Sequence, residues 1–125
     1  MVVRISVTVL RLSALLALIL GILFWTSNAG SWTFVHMGLG LLVTLSLWVL
    51  GASQAFTERG NWGLAAGAFV LGAILPIFGM MQEALLPGAM HWIIQVIHLL
   101  LGLSALGLGE EIARRYKLLS GLATA

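Results

Sequence analysis

Polar residues are sparse along this chain and fall in clusters, leaving four apolar runs at about Ile5–Trp25, Trp32–Gly51, Trp62–Met81 and Ala89–Leu108. Each is close to the ~20 residues that a helix needs to cross the hydrocarbon of a bilayer. The breaks between them are short: "TSNAGS", "ASQAFTERGN" and "QEALLPG". Inside hydrocarbon, backbone polar groups have no water to bond, so runs of this kind are helices rather than open strands. With polar ends included, the helices are expected at about 5–25, 32–54, 61–81 and 89–116. The expected architecture is all-α: one domain over 1–125, an integral-membrane four-helix bundle running up-down-up-down.

Composition agrees with that class. Hydrophobic residues make up 61% of the chain and charged residues 8%, against roughly 25% charged in soluble domains. The mean hydropathy is +1.11. With no cysteine, disulfides, thiolate metal sites and cysteine nucleophiles are excluded. The net charge is only +2 and the chain has no basic run, so no nucleic-acid partner is expected despite the high isoelectric point. Ser13 and Ser46 sit in apolar runs without a visible base, so a hydrolase is not expected and an enzymatic role is the less favoured one.

The cations are Arg4, Arg11, Arg59, Arg114, Arg115 and Lys117. In a four-pass chain they belong to the amino end, the middle loop and the carboxyl end, all on one side. The positive-inside rule then places both termini in the cytoplasm, and a prokaryotic cytoplasmic membrane is the expected location. Trp25, Trp32 and Trp92 mark the outer interface, and Trp48 and Trp62 the inner one. Arg11 lies about one turn inside the first span and is expected to snorkel toward the headgroups. A rival reading makes the first run a cleaved signal peptide, with Ser27-Asn28-Ala29 as its small-x-small site. On the last helix, Glu110–Arg114 and Glu111–Arg115 have i,i+4 spacing and read as a solvated end.

Glycines are frequent in the spans. Gly63 and Gly67 form a small-xxx-small pair on the third helix, and Gly40, Gly72, Gly79, Gly102 and Gly107 are spread over the second, third and fourth spans. Small residues let helix backbones approach closely. Pro76 is expected to kink the third helix.

Two short stretches match: "VHMGLGLL" from Val35 and "IHLLLGLS" from Ile97. Their histidines, His36 and His98, are 62 positions apart. The second and fourth helices run parallel. Counted from Trp32 and Trp92, the two histidine depths differ by roughly 3 Å. In an up-down-up-down bundle these helices are diagonal partners, so the imidazoles can face each other across the axis. Gly40 and Gly102 follow one turn later on the same faces, where a side chain would fill space. This pattern suits a haem b held by two axial histidines. His91 and Gln95 continue the polar strip of the fourth helix, with His91 about 10 Å nearer the outside. His91 is a candidate partner for a haem propionate or a replacement ligand for His98. It also reads as an interfacial residue in contact with water, and Gln82 and Glu83 read as solvated. The outer side offers no Arg or Lys to neutralise propionates. Intramembrane histidine also serves as hydrogen-bonding glue between helices or as part of a proton or ion path.

The layout resembles one four-helix half of the heme A synthase family, and small bis-His membrane b-type cytochromes more generally. "VHMGLGLLV" and "IHLLLGLSAL" look like that family's second- and fourth-helix segments. The resemblance implies His36 and His98 as axial ligands. Three departures stand against the family's methyl hydroxylation of haem. Thr33 stands where its catalytic half has a glutamate, Met37 where an arginine often follows the histidine, and the outer-loop cysteines are missing.

The reading is therefore a small membrane b-type haem protein for electron transfer or haem carriage. Its expected partners are the lipid bilayer, a quinone or a redox protein, and a second copy in a homodimer. One alternative is a cofactor-free membrane subunit or assembly factor. Another is a small oligomeric transporter using the His91–Gln95–His98 strip.

Overall fold

The computed structural model describes residues 1–26, 30–57 and 60–122. Ser27, Asn28 and Ala29, which carry the cleavage reading, and Arg59, one of the six cations, lie outside the described residues. Four helices form: α1 (Val2–Thr26), α2 (Thr33–Ala55), α3 (Trp62–Met81) and α4 (His91–Leu122). Short 3-10 turns at Gly30–Trp32 and Gln82–Ala84 lead into α2 and out of α3. Among the described residues there is no strand. All four helices are long and apolar enough to cross a membrane. The shortest, α3, has 20 residues, or about 30 Å at 1.5 Å per residue.

Cross-helix contacts give the topology. Thr44, Trp48 and Gly51 of α2 meet Gly72, Phe69 and Ala68 of α3 in reverse order. Gly67 and Gly79 of α3 approach Leu108 and His98 of α4 in the same antiparallel sense. The chain therefore runs up-down-up-down, with α2 and α4 parallel. These two helices also touch across the bundle, and α1 and α3 each pack against both.

The core lies at the end that carries both termini. Leu10, Leu47, Leu50, Ala68, Ala105 and Ile112 have no exposed surface. Toward the other end only Leu75 and Ile94 join the buried apolar set. Most large apolar side chains instead point outward on every helix, among them Leu12, Ile19, Leu45, Val70 and Leu100. Helices apolar all round in this way suit a membrane span or the interior of a larger assembly.

Helix α3 starts where the Asn61 side chain accepts a hydrogen bond from the Leu64 backbone N–H at 3.0 Å, satisfying one of the otherwise unpaired first-turn donors. It runs unbroken through Pro76. Proline has no N–H to offer the carbonyl four residues earlier, which is that of Gly72. The Thr44 hydroxyl on α2 donates to that same carbonyl at 3.1 Å, in a buried position. A neighbouring helix thus repairs the bond that proline removes, as is common in membrane helices. Thr44→Val is expected to destabilise the bundle by about 1–3 kcal/mol, the cost of an unsatisfied buried acceptor. In a Pro76→Ala background the restored N–H takes the Gly72 carbonyl and most of that cost disappears. Reversible unfolding in mixed micelles, run as a double-mutant cycle, reads the coupling.

Several packing expectations change. The close seam of α3 is made by Ala65, Ala68 and Gly72 against α2, not by Gly63 and Gly67. A methyl group on Gly51 would lie 2.8 Å from the Ala68 Cβ, and one on Gly72 would lie 2.5 Å from the Trp48 Nε1. By contrast Gly63 is exposed and Gly67 faces Leu108 of α4. Gly107 also takes no part in close packing, since a methyl there would meet nothing within 4 Å. Arg11 does not stand alone: its guanidinium donates to both carboxylate oxygens of Glu110, at 2.5 and 2.6 Å, tying α1 to α4. Glu111 pairs with Arg114 at i,i+3 and also feels the charge of Arg115, while Glu110 is taken by Arg11 rather than by Arg114. A planar guanidinium matches a carboxylate in two parallel bonds wherever the backbone brings them level, and α1 does so for Glu110.

A candidate paired-histidine site

The α2–α4 diagonal brings His36 and His98 together. Their ring centroids are 6.1 Å apart with the planes at 50°. Both side chains are half-buried. The Nδ1 atom of each ring is shielded from solvent and has no hydrogen-bond partner. Two buried imidazole nitrogens without partners are costly, and such a pair is therefore a candidate ligand set.

Each ring is framed by the neighbouring antiparallel helix. His36 meets the edge of Phe24 on α1, with centroids 5.4 Å apart and planes at 69°. A methyl group placed on Gly21, one turn earlier on α1, would lie 3.8 Å from its Cε1. On the other side, the His98 ring is parallel to Phe78 of α3, with centroids 6.1 Å apart and planes at 9°. A methyl on Gly79 would lie 3.1 Å from the His98 Cε1. Glycine at these two places lets the backbones of α1 and α3 come up to the imidazoles. These four framing residues are the part of the site that sequence reasoning missed. Their only sequence signal is depth: Gly21 and Phe24 lie just before the first outer break, and Phe78 and Gly79 just before the second.

Gly40 and Gly102 lie one turn beyond the histidines, and a methyl on either would meet nothing within 4 Å. Neither position is therefore packed against another helix. Gln95 is half-buried on the same face of α4. His91 is not part of the pair. Its Nδ1 donates to the Leu85 carbonyl at 3.2 Å, and its backbone N–H bonds the Gly88 carbonyl. It thereby ties down the α3–α4 loop, in which Gly88 has a φ of +88°, a conformation suited to glycine. Among the described residues no three His, Asp or Glu side chains converge as a metal site, so the pair is a two-ligand arrangement.

Three observations make the pair a candidate ligand set for a haem. Two metal–nitrogen bonds of about 2 Å each, added to the ring radii, put the centroids of a trans bis-imidazole pair about 6 Å apart. Each ring also offers a nitrogen that nothing else claims. Below them, the two glycine positions leave room on both helices.

The fold and site together define a class: an all-α chain of four potential membrane spans with a facing histidine pair near the end opposite its termini. No family model, no curated protein and no solved structure matches the chain, so its function is argued from this geometry alone.

Proposed function

We propose that this chain is a small integral-membrane b-type haem protein, with His36 and His98 as the two axial ligands and electron transfer or haem carriage as its role. The observation that carries the reading is the facing pair of half-buried imidazoles, 6.1 Å apart, each with an unclaimed nitrogen. Haem b, when bound, supplies a reversible one-electron iron couple. The protein's own part is to hold both imidazoles at one depth, to leave space beside them at Gly40 and Gly102, and to keep water away with Phe24 and Phe78. Two histidine ligands leave no open iron position, which favours electron transfer over oxygen chemistry. Gln95 and the outer backbone amides are the polar groups available to propionates, because His91 is engaged by Leu85.

The four apolar helices support placement in a bilayer. Arg4, Arg114, Arg115 and Lys117 at the terminal end support cytoplasmic termini under the positive-inside rule. The histidines then lie toward the outer leaflet, where a quinone in the membrane or a redox protein outside it would exchange electrons, with a second copy of the chain as the partner in a homodimer. A transporter path is not favoured, because Leu10, Leu47, Leu50 and Ile112 close the terminal half of the bundle. The second reading is a cofactor-free membrane subunit, favoured by the aromatic cluster that Phe24, Phe78 and the two imidazoles make by themselves.

A hemin titration of the full chain in detergent separates the two. The haem reading expects saturation at one hemin per chain with a six-coordinate, low-spin spectrum. Non-saturating uptake with a five-coordinate spectrum contradicts it and favours the subunit reading.

A further inference from the structure

We infer that Gly79 and Phe78 are positioning residues that set the orientation of the His98 imidazole from α3, holding the two members of the pair unequally. The two rings have different neighbours. Against His98, a methyl on Gly79 would lie 3.1 Å from Cε1, 3.8 Å from Nε2 and 3.9 Å from Nδ1, so it meets the ring along one whole edge. Against His36, a methyl on Gly21 would lie 3.8 Å from Cε1 alone, which is ordinary contact. Phe78 lies parallel to His98 within 9°, whereas Phe24 meets His36 edge-on at 69°. A ring bounded by a backbone on one side and a parallel ring on another has little freedom about its χ2 axis. The His36 ring is held by other means, meeting Phe24 edge-on and lying against the Ala17 backbone of α1.

Ligand orientation is set by the groups around the ligand as much as by the ligand itself. The 50° angle between the imidazole planes is therefore a property of α3 as well as of the histidines. This step rests on the haem reading only for its consequence, namely that the same angle carries into ligation and shapes the electronic structure of the low-spin iron. The positioning itself belongs to the metal-free chain.

The test uses the full chain in micelles, with Gly79→Ala and Phe78→Leu as variants and Gly107→Ala, which has nothing within 4 Å, as the control. In metal-free protein labelled at histidine, NOEs between the His36 and His98 rings are expected to fall at least twofold in both α3 variants and to persist in the control. Unchanged inter-ring NOEs in the α3 variants, or an equal loss in Gly107→Ala, overturn the inference. Should Gly79→Ala not fold, Phe78→Leu decides the matter, since it introduces no new atoms against His98. In hemin-loaded protein, low-temperature EPR should show displaced g values for Gly79→Ala and the wild-type pattern for Gly107→Ala. Identical g values in all three contradict the extension to ligation. Wild-type protein that takes up no hemin defeats the haem reading, while the NOEs still decide the positioning.

Discussion

His36→Ala and His98→Ala are each expected to abolish the six-coordinate, low-spin spectrum of hemin-loaded protein while the far-UV circular dichroism stays helical. The effect is expected to be all-or-none rather than graded. A trans pair needs both nitrogens, and among the described residues no third His, Asp or Glu converges on them. His91 is not expected to stand in for His98, because it lies two turns nearer the loop and its Nδ1 is engaged by the Leu85 carbonyl at 3.2 Å. His91→Ala therefore keeps the spectrum and loosens the loop instead. A low-spin spectrum surviving in either His36→Ala or His98→Ala would reassign the ligand. The fold should tolerate both changes, because the buried core at the terminal end contains neither histidine.

A large effect on helix packing is expected at Gly51. A side chain there meets the Ala68 Cβ at 2.8 Å and the Ala65 carbonyl oxygen at 3.3 Å. One neighbour is backbone and the other is fixed directly to it, so neither can rotate aside. Gly51→Leu must push α2 and α3 apart, breaking the nearby Thr44–Gly72 and Trp48–Phe69 bonds. Overpacking of this kind costs about 1–3 kcal/mol or more. Lost interhelical bonds add to it, and thermal unfolding in detergent should show a drop in Tm of several degrees. Gly107→Leu is the matched control, with nothing within 4 Å of its Cβ and little change expected. Equal Tm values for the two variants would mean that the α2–α3 seam is not the tight one.

Much of this architecture was readable in the chain itself, and the reason is the solvent. A span must be long, apolar and internally bonded, so the four runs mark the helices to within a few residues. Differences arise at the ends. Helix α4 continues to Leu122 because Glu110–Lys117 is a helix-compatible charged stretch with its own ion pairs. It starts at His91 rather than 89 because the positive φ of Gly88 makes a turn there. The histidine pair was legible because polar residues in apolar runs are rare and two at one depth are rarer.

What could not be read is rotation. Helices apolar on every side carry almost no periodic signal, so Gly63 and Gly67 looked as good a seam as Ala65, Ala68 and Gly72. The Arg11–Glu110 pair was hidden for a related reason. Its members lie 99 positions apart, and only the level at which α1 and α4 pass each other brings them together. Phe24 and Phe78 were hidden in the same way, as two of many apolar residues at the helix ends.

The most direct test of the central claim is one absorption spectrum of the chain purified from haem-replete cells, recorded oxidised and then after dithionite. A sharp Soret band that shifts to the red on reduction, with a resolved α band, is the result expected of two imidazoles sharing one haem iron. A colourless preparation that also fails to take up added hemin would contradict the claim and leave His36 and His98 as a packing contact between α2 and α4.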